Sequence, residues 1–210
     1  MKKDSILYVV VFTFIVCAAF VFVLALANEA TKSQVAANRL FTERAAVLDA
    51  LGISYGSPKE AVELYEELLE ELPVPEGTNA QKAYRYDADG TTYVAARVTG
   101  AGLWGSISII LGADAGVERL TGIQVVAQNE TPGLGGRIDE AWFRNQFRGE
   151  KIGPNGIKVR TGAEAQGSGD RNPDNGILDG VSGASRTSQS MQTIVNGGIE
   201  ALRAIAGGAR

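Results

Sequence analysis

Histidine is absent from this 210-residue chain, and cysteine occurs once, at Cys17. Without histidine there is no Ser-His-Asp or Cys-His nucleophile, no His-ligated haem and no His-containing zinc site. One cysteine cannot close an intramolecular disulfide or hold an iron–sulfur cluster within the chain. Any electrons handled here therefore reside on an organic cofactor or on a partner. Neither G-x-x-x-x-G-K-[ST] nor G-x-G-x-x-G is present, which removes the phosphate-loop and dinucleotide fingerprints. Basic charge is also not in excess. The formal net charge is −4, with 45% hydrophobic and 21% charged residues, values that exclude a disordered tail and a basic nucleic-acid binder. Glycine, by contrast, is abundant: 26 residues, about 12% against a usual ~7%, concentrated in the second half.

The other conspicuous feature is a hydrophobic run. Ile6 to Ala27 is 22 consecutive uncharged residues in which Thr13 is the only distinctly polar one. As a helix it spans roughly 33 Å, against a hydrocarbon core of ~30 Å. Lys2 and Lys3 precede it, favouring a cytoplasmic amino terminus and export of the rest of the chain, although Lys32, Arg39 and Arg44 on the far side weaken the bias. Ala25-Leu26-Ala27 is an A-x-A site of the signal-peptide type, but the apolar run exceeds the usual ~7–15 residue core of such peptides. A retained anchor in membrane lipid through residues 6–27 is the preferred reading. Cys17 falls within it as a small hydrophobe.

Setting aside Lys2, Lys3 and Asp4, the remainder carries 18 basic and 23 acidic side chains, a length and charge that suit one domain with a sizeable core and no nucleic-acid partner. Residues 31–51 read as a helix continuing from the anchor and stopped by Gly52. Ser57-Pro58-Lys59-Glu60 is a capping box opening a second helix, expected to run to about Leu72 before Pro73 and Pro75. Its glutamates (Glu63, Glu66, Glu67, Glu70, Glu71) read as a solvated face. Strands are expected at Ala83–Tyr86 and Thr91–Val98 around an Asp87-Ala88-Asp89-Gly90 hairpin signal, then at Gly105–Leu111 and Leu120–Ala127. Asp139 is placed as the cap of a short helix containing Trp142, Phe143 and Phe147. A final helix spans Ser188–Ala206 and buries Met191, Ile194, Val195, Ile199, Leu202 and Ile205. Gly197 and Gly198 in its middle cost roughly 1 kcal/mol each relative to alanine unless they serve close packing. Helices at both ends of an antiparallel block give an α+β fold.

Two glycine-rich loops are the chemical candidates. Asn129–Arg137 follows a strand and reads either as a type II turn around Pro132-Gly133 or as a backbone surface against a flat ligand, with Leu134 as an apolar contact. Asp179–Ser188 leads into the last helix. It reads either as an elaborate helix cap, with Thr187 or Ser188 at the cap position, or as a phosphate seat. In the second case the N–H groups of Gln189, Ser190 and Met191 face outward and Arg186 adds a cation. Asp170, Asn172 and Asp174 resemble a calcium loop, but glycine is not at the sixth position and Val181 stands at the twelfth. That stretch reads as a polar surface loop, and no metal site is expected.

Ser182-Gly183-Ala184-Ser185-Arg186-Thr187 resembles the S/T-G-A-S/T-x-T pattern of the FMN-binding domain family, which includes NqrC of the sodium-translocating NADH:quinone reductase (Nqr) and RnfG of the Rnf complex. Glu130-Thr131-Pro132-Gly133-Leu134-Gly135, Gly102-Leu103-Trp104, the amino-terminal anchor and the order of elements resemble theirs as well. The resemblance implies a covalent flavin, with Thr187 joined through a phosphoester to FMN by a separate flavin transferase. Ser182, Gly183, Ala184, Ser185, Arg186 and Ser188 would surround the phosphate. Glu130, Thr131, Gly133, Leu134 and Gly135 would line the ring, and Trp142 is either near it or core. Ser185 replaces the commoner threonine.

The organisation expected is thus a transmembrane anchor (1–27), a helical membrane-proximal part (28–82) and an FMN-binding core (83–210). The implied function is an electron-transfer subunit, not catalytic alone, in an Rnf- or Nqr-type ion-translocating complex. Its flavin domain would lie outside the cytoplasm of a bacterial or archaeal membrane, and the other subunits would be its partners. The competing reading is an exported, membrane-anchored binding or scaffolding module without covalent flavin. A third is a stand-alone membrane flavoprotein reductase.

Overall fold

The computed structural model describes residues 6–88, 90–162 and 169–208; Lys2, Lys3, Asp4 and Asp89 lie outside them. Helix α1 covers Ile6–Leu51, and its apolar stretch is long and hydrophobic enough to cross a membrane. Two compact units are distinguished, Met1–Phe41 and Thr42–Arg210. In the first, large apolar side chains such as Phe14 and Leu24 are exposed, as lipid-facing residues are. Cys17 is exposed in the same stretch.

The second unit is built on a five-stranded antiparallel meander, β1 (Leu69–Leu72), β2 (Ala80–Ala88), β3 (Thr91–Ala101), β4 (Ser106–Asp114) and β5 (Leu120–Ala127), in sequential order. Alternation along the strands sends residues to two separate cores. Ala83, Ala96, Val98, Ile109 and Leu111 face one side, while Tyr84, Ala95 and Ile110 face the other. The end of α1 covers the second face with Ala46, Val47, Ala50 and Leu51. Gly52, at φ +79°, ends that helix, and the N–H of Ile53 donates to the Leu48 carbonyl, closing a left-handed cap.

Helix α4 (Ser185–Gly208) covers the first face. The six apolar residues expected to be buried on it are all buried, worth about 1.5–3 kcal/mol each relative to exposure. Gly198 is where the helix meets the sheet, since a Cβ there would stand 3.1 Å from Leu111 Cδ2 and 3.3 Å from Val98 Cγ2. Between β5 and α4 lie a 3-10 turn (Gly135–Asp139), the short α3 (Ala141–Asn145), and a parallel pair, β6 (Lys158–Arg160) with β7 (Ile177–Asp179). The α+β class holds.

Several local expectations are corrected. Helix α2 spans Pro58–Leu68, with Ser57 accepting from the Glu60 N–H as expected. Residues 69–72, however, are strand β1, because pairing with Ala83–Tyr86 of β2 satisfies their backbone better than another helical turn. Asp139 does not cap α3. It closes the 3-10 turn, and Glu140 occupies the cap position without a side-chain bond. Helix α4 starts three residues earlier than expected, at Ser185.

Candidate functional site

The two glycine-rich loops meet in space. A Cβ on Gly183 would lie 3.5 Å from Leu134 Cδ2, and one on Gly135 would lie 2.5 Å from Thr187 Oγ1. Loop 131–136 is the type II turn expected, with Gly133 at φ +75° and the Leu134 N–H donating to the Thr131 carbonyl at 3.1 Å. Thr131, Gly133 and Leu134 are exposed, as are Ser182, Gly183 and Arg186, while Ser185 is half-buried.

Five residues expected to touch a ligand lie beneath this surface instead. Glu130, Gly135, Ala184, Thr187 and Ser188 are buried, Thr187 to 1% exposure. Thr187 Oγ1 donates to Glu130 Oε2 at 2.5 Å. Glu130 Oε1 accepts from the N–H groups of Leu103 at 2.9 Å and Trp104 at 3.1 Å. Ser188 Oγ accepts from the Val181 N–H and donates to the Ala184 carbonyl, both at 3.0 Å. Neither Thr187 nor Ser188 is the helix cap.

The Ser188 N–H already donates to the Ala184 carbonyl, so Ala184 is the cap residue and Ser185 the first helical one. The N–H groups without an intrahelical acceptor are therefore those of Ser185, Arg186 and Thr187, not those of Gln189, Ser190 and Met191. An ester on Thr187 Oγ1 would replace its hydrogen bond to Glu130. Ser185 is the motif hydroxyl that combines partial exposure with a place at the helix start. Those N–H groups and the guanidinium of Arg186 make a donor set suited to a phosphate.

Beside the motif is a cavity of about 340 Å³, within the range of small-molecule sites. One wall is Gly100–Leu103 with Asn79; the other is α4 through Arg186, Gln189, Ser190, Thr193 and Ile194. Exposed apolar side chains stand nearby: Leu103 (51%), Trp104 (71%) and Leu134 (47%). In the sequence, Gly102-Leu103-Trp104 stands out only through its resemblance to the family. A tryptophan beside two glycines at a hairpin tip is the signal that it belongs to the site. Trp142 is half-buried against the core, its Nε1 donating to Glu140 Oε2 at 2.5 Å and Arg137 lying 5.4 Å above its ring.

Buried polar groups anchor the approach to the motif. Gln146 Oε1 accepts from the N–H groups of Asp170 and Asp179, each at 2.7 Å, and its Nε2 donates to the Asp179 carbonyl. Glu150 Oε1 accepts from the Gly176 N–H at 2.7 Å. Burial pushes the Glu150 carboxyl up to about 7, and repulsion from Asp170 and Asp174 adds to the rise. No sequence signal marks either residue. The calcium-like loop is spent on the protein itself: Arg160 pairs with Asp170 and Arg119 with Asp174. Among the described residues no cluster suited to a metal ion is found.

Residues 102–200, which contain both loops and the first turns of α4, match the family model of the FMN-binding domain. This part of the chain is similar to the FMN-binding domain family. Over 110 residues the chain is 34% identical to the NqrC subunit of the Na(+)-translocating NADH-quinone reductase of Vibrio alginolyticus, a match covering 50% of this chain and 41% of that relative. The Yersinia pestis counterpart is 32% identical over 105 residues, covering 47% of this chain and 36% of that protein. The matched part thus spans about two fifths of these relatives. The crystal structure of the corresponding reductase subunit from Parabacteroides distasonis superposes with a TM-score of 0.66 at 24% identity, covering 83% of this chain and 96% of that one. NqrC of Shewanella oneidensis gives 0.61 at 16%, covering 79% and 96%. These two likenesses show a shared fold. The residues present fit FMN: helix-start N–H groups and Arg186 suit a phosphate, and the exposed side chains of Leu103, Trp104 and Leu134 suit a flat ring.

Proposed function

We propose that this chain is the FMN-carrying, electron-relaying subunit of a sodium-translocating NADH:quinone reductase complex, tethered to the membrane by α1. The observation that carries the reading is the convergence of both glycine loops and the α4 start, inside the stretch matched to the FMN-binding domain, beside the cavity. The relatives at 32–34% identity are NqrC subunits of that reductase, which favours it over an Rnf-type complex as the assembly. Bound FMN supplies one- and two-electron chemistry; the chain's own groups hold and orient it. The Ser185, Arg186 and Thr187 N–H groups with the Arg186 side chain would seat the phosphate, each charge-assisted bond contributing about 1.5–3 kcal/mol. Leu103, Trp104 and Leu134 would flank the ring.

The flavin is attached covalently by a flavin transferase. The phosphoester is carried by Thr187, whose Oγ1 gives up its hydrogen bond to Glu130 when the ester forms. Other subunits of the complex deliver and accept the electrons, and the domain lies outside the cytoplasm, a placement supported by Lys2 and Lys3 ahead of the anchor.

Co-expression with a flavin transferase, followed by ultraviolet imaging of the denatured gel band, tests the reading. A fluorescent band is expected. A dark band would contradict covalent attachment and favour the non-covalent binding module.

A further inference from the structure

We propose that Glu130 is a positioning residue: its carboxylate is a two-armed brace that fixes the spacing between the two walls of the cavity beside the motif. One oxygen, Oε1, holds the hairpin tip through the N–H groups of Leu103 and Trp104 at 2.9 and 3.1 Å. The other, Oε2, holds α4 through Thr187 Oγ1 at 2.5 Å. The tip carries one wall and the first turns of α4 carry the other, so a single side chain spans both.

The surroundings leave the carboxylate little freedom. It is 5% exposed. A Cβ on Gly102 would stand 2.6 Å from Oε1, and one on Gly135 would stand 2.9 Å from Oε2. Glycine on both flanks is what lets a carboxylate sit between two backbones at this distance. Its own N–H is fixed as well, donating to Gln128 Oε1 at 2.6 Å. Three charge-assisted bonds converge on a group shielded from water, where they are strongest and where losing one leaves a buried polar atom unpaired. Glu130 thus acts on a ligand through Leu103, Trp104 and α4 rather than by touching it.

The geometric part stands on contacts alone, while its consequence for flavin rests on the proposed FMN-carrying function. The test uses the full chain in detergent and reads two quantities: amide exchange at Leu103 and Trp104, and flavin yield after co-expression with a flavin transferase. Glu130→Ala, which cuts both arms, is expected to speed exchange at those amides roughly tenfold or more, with exchange in the central strands unchanged, and to lower flavin yield several-fold. Glu130→Gln keeps an acceptor for the tip and offers a donor to Thr187 Oγ1, so both readouts should stay within about threefold of the parent. Unchanged exchange in Glu130→Ala would overturn the brace. So would Glu130→Gln behaving like Glu130→Ala, which would make charge rather than spacing the determinant. Should Glu130→Ala fail to fold, Glu130→Asp, one methylene shorter, keeps the charge but not the span: faster exchange at Leu103 and Trp104 supports the brace, and exchange and flavin yield both at the parent level overturn it. A parent chain that takes up no flavin would sink the FMN reading while leaving the exchange comparison to decide the brace.

Discussion

Gly135 packs its backbone directly onto the hydroxyl of Thr187, so that a Cβ at position 135 would stand 2.5 Å from Thr187 Oγ1 and 2.9 Å from Glu130 Oε2. The contact is between two glycine-rich loops far apart in the chain, and it closes the floor of the site. Gly135→Ala is therefore expected to destabilise the domain by about 1–3 kcal/mol through overpacking, and to reduce flavin loading. Gly133 differs, having φ +75° and open space around it, so Gly133→Ala should act through backbone strain alone, roughly 1–2 kcal/mol. Urea unfolding and flavin loading of both variants check the difference: loading reduced in Gly135→Ala and kept in Gly133→Ala is the expected pattern.

Arg186 is an exposed residue on the cavity wall, and no packing depends on it. Arg186→Ala should change stability by less than about 0.5 kcal/mol and leave the fluorescent band present but weaker, since the helix N–H groups remain. Thermal unfolding alongside gel fluorescence reads both effects. Loss of folding would contradict a role confined to the phosphate.

Glu150 supplies a pH dependence. Burial, with Asp170 and Asp174 nearby, raises its carboxyl from 4.5 to about 7. In that window the folded chain holds a proton the unfolded chain has released. The stabilisation is fully present below the unfolded value and is lost as pH rises through about 7. Between pH 5 and pH 8 the parent chain should lose of order 1–3 kcal/mol more than Glu150→Gln, measured by urea unfolding at each pH. Parallel profiles would contradict the assignment.

The features legible in the sequence are mostly local. Gly52 ends α1 and Ser57 caps α2 because both act within one turn of backbone. Leu120–Ala127 is bounded correctly because it is an apolar, β-branched run with turn residues before it. Residues 69–72 are not legible: Leu-Glu-Glu-Leu suits a helix, and only the partner strand 83–86 makes it β1. The three-residue β6 and β7 carry no periodicity at all. At the site, the two loops are legible by composition and resemblance, but their depth is not. Ala184 has no capping side chain to announce the start of α4, so the sequence pattern points to a start at Ser188 and makes the buried Thr187 look like an accessible hydroxyl. Burial by Gly135 and Glu130 is a tertiary fact that no local pattern announces.

The central claim is that FMN is joined to this chain at Thr187 in the first turn of α4, and trypsin offers a direct reading of it. Cleavage after Arg171, Arg186 and Arg203 places Ser185 on peptide 172–186 and Thr187 on peptide 187–203. Mass spectrometry of the mature protein, with fragmentation to localise the added mass, should find the flavin phosphate on Thr187 in the second peptide. Flavin mass on Ser185, or on neither peptide in a chain matured by its own transferase, would contradict the account.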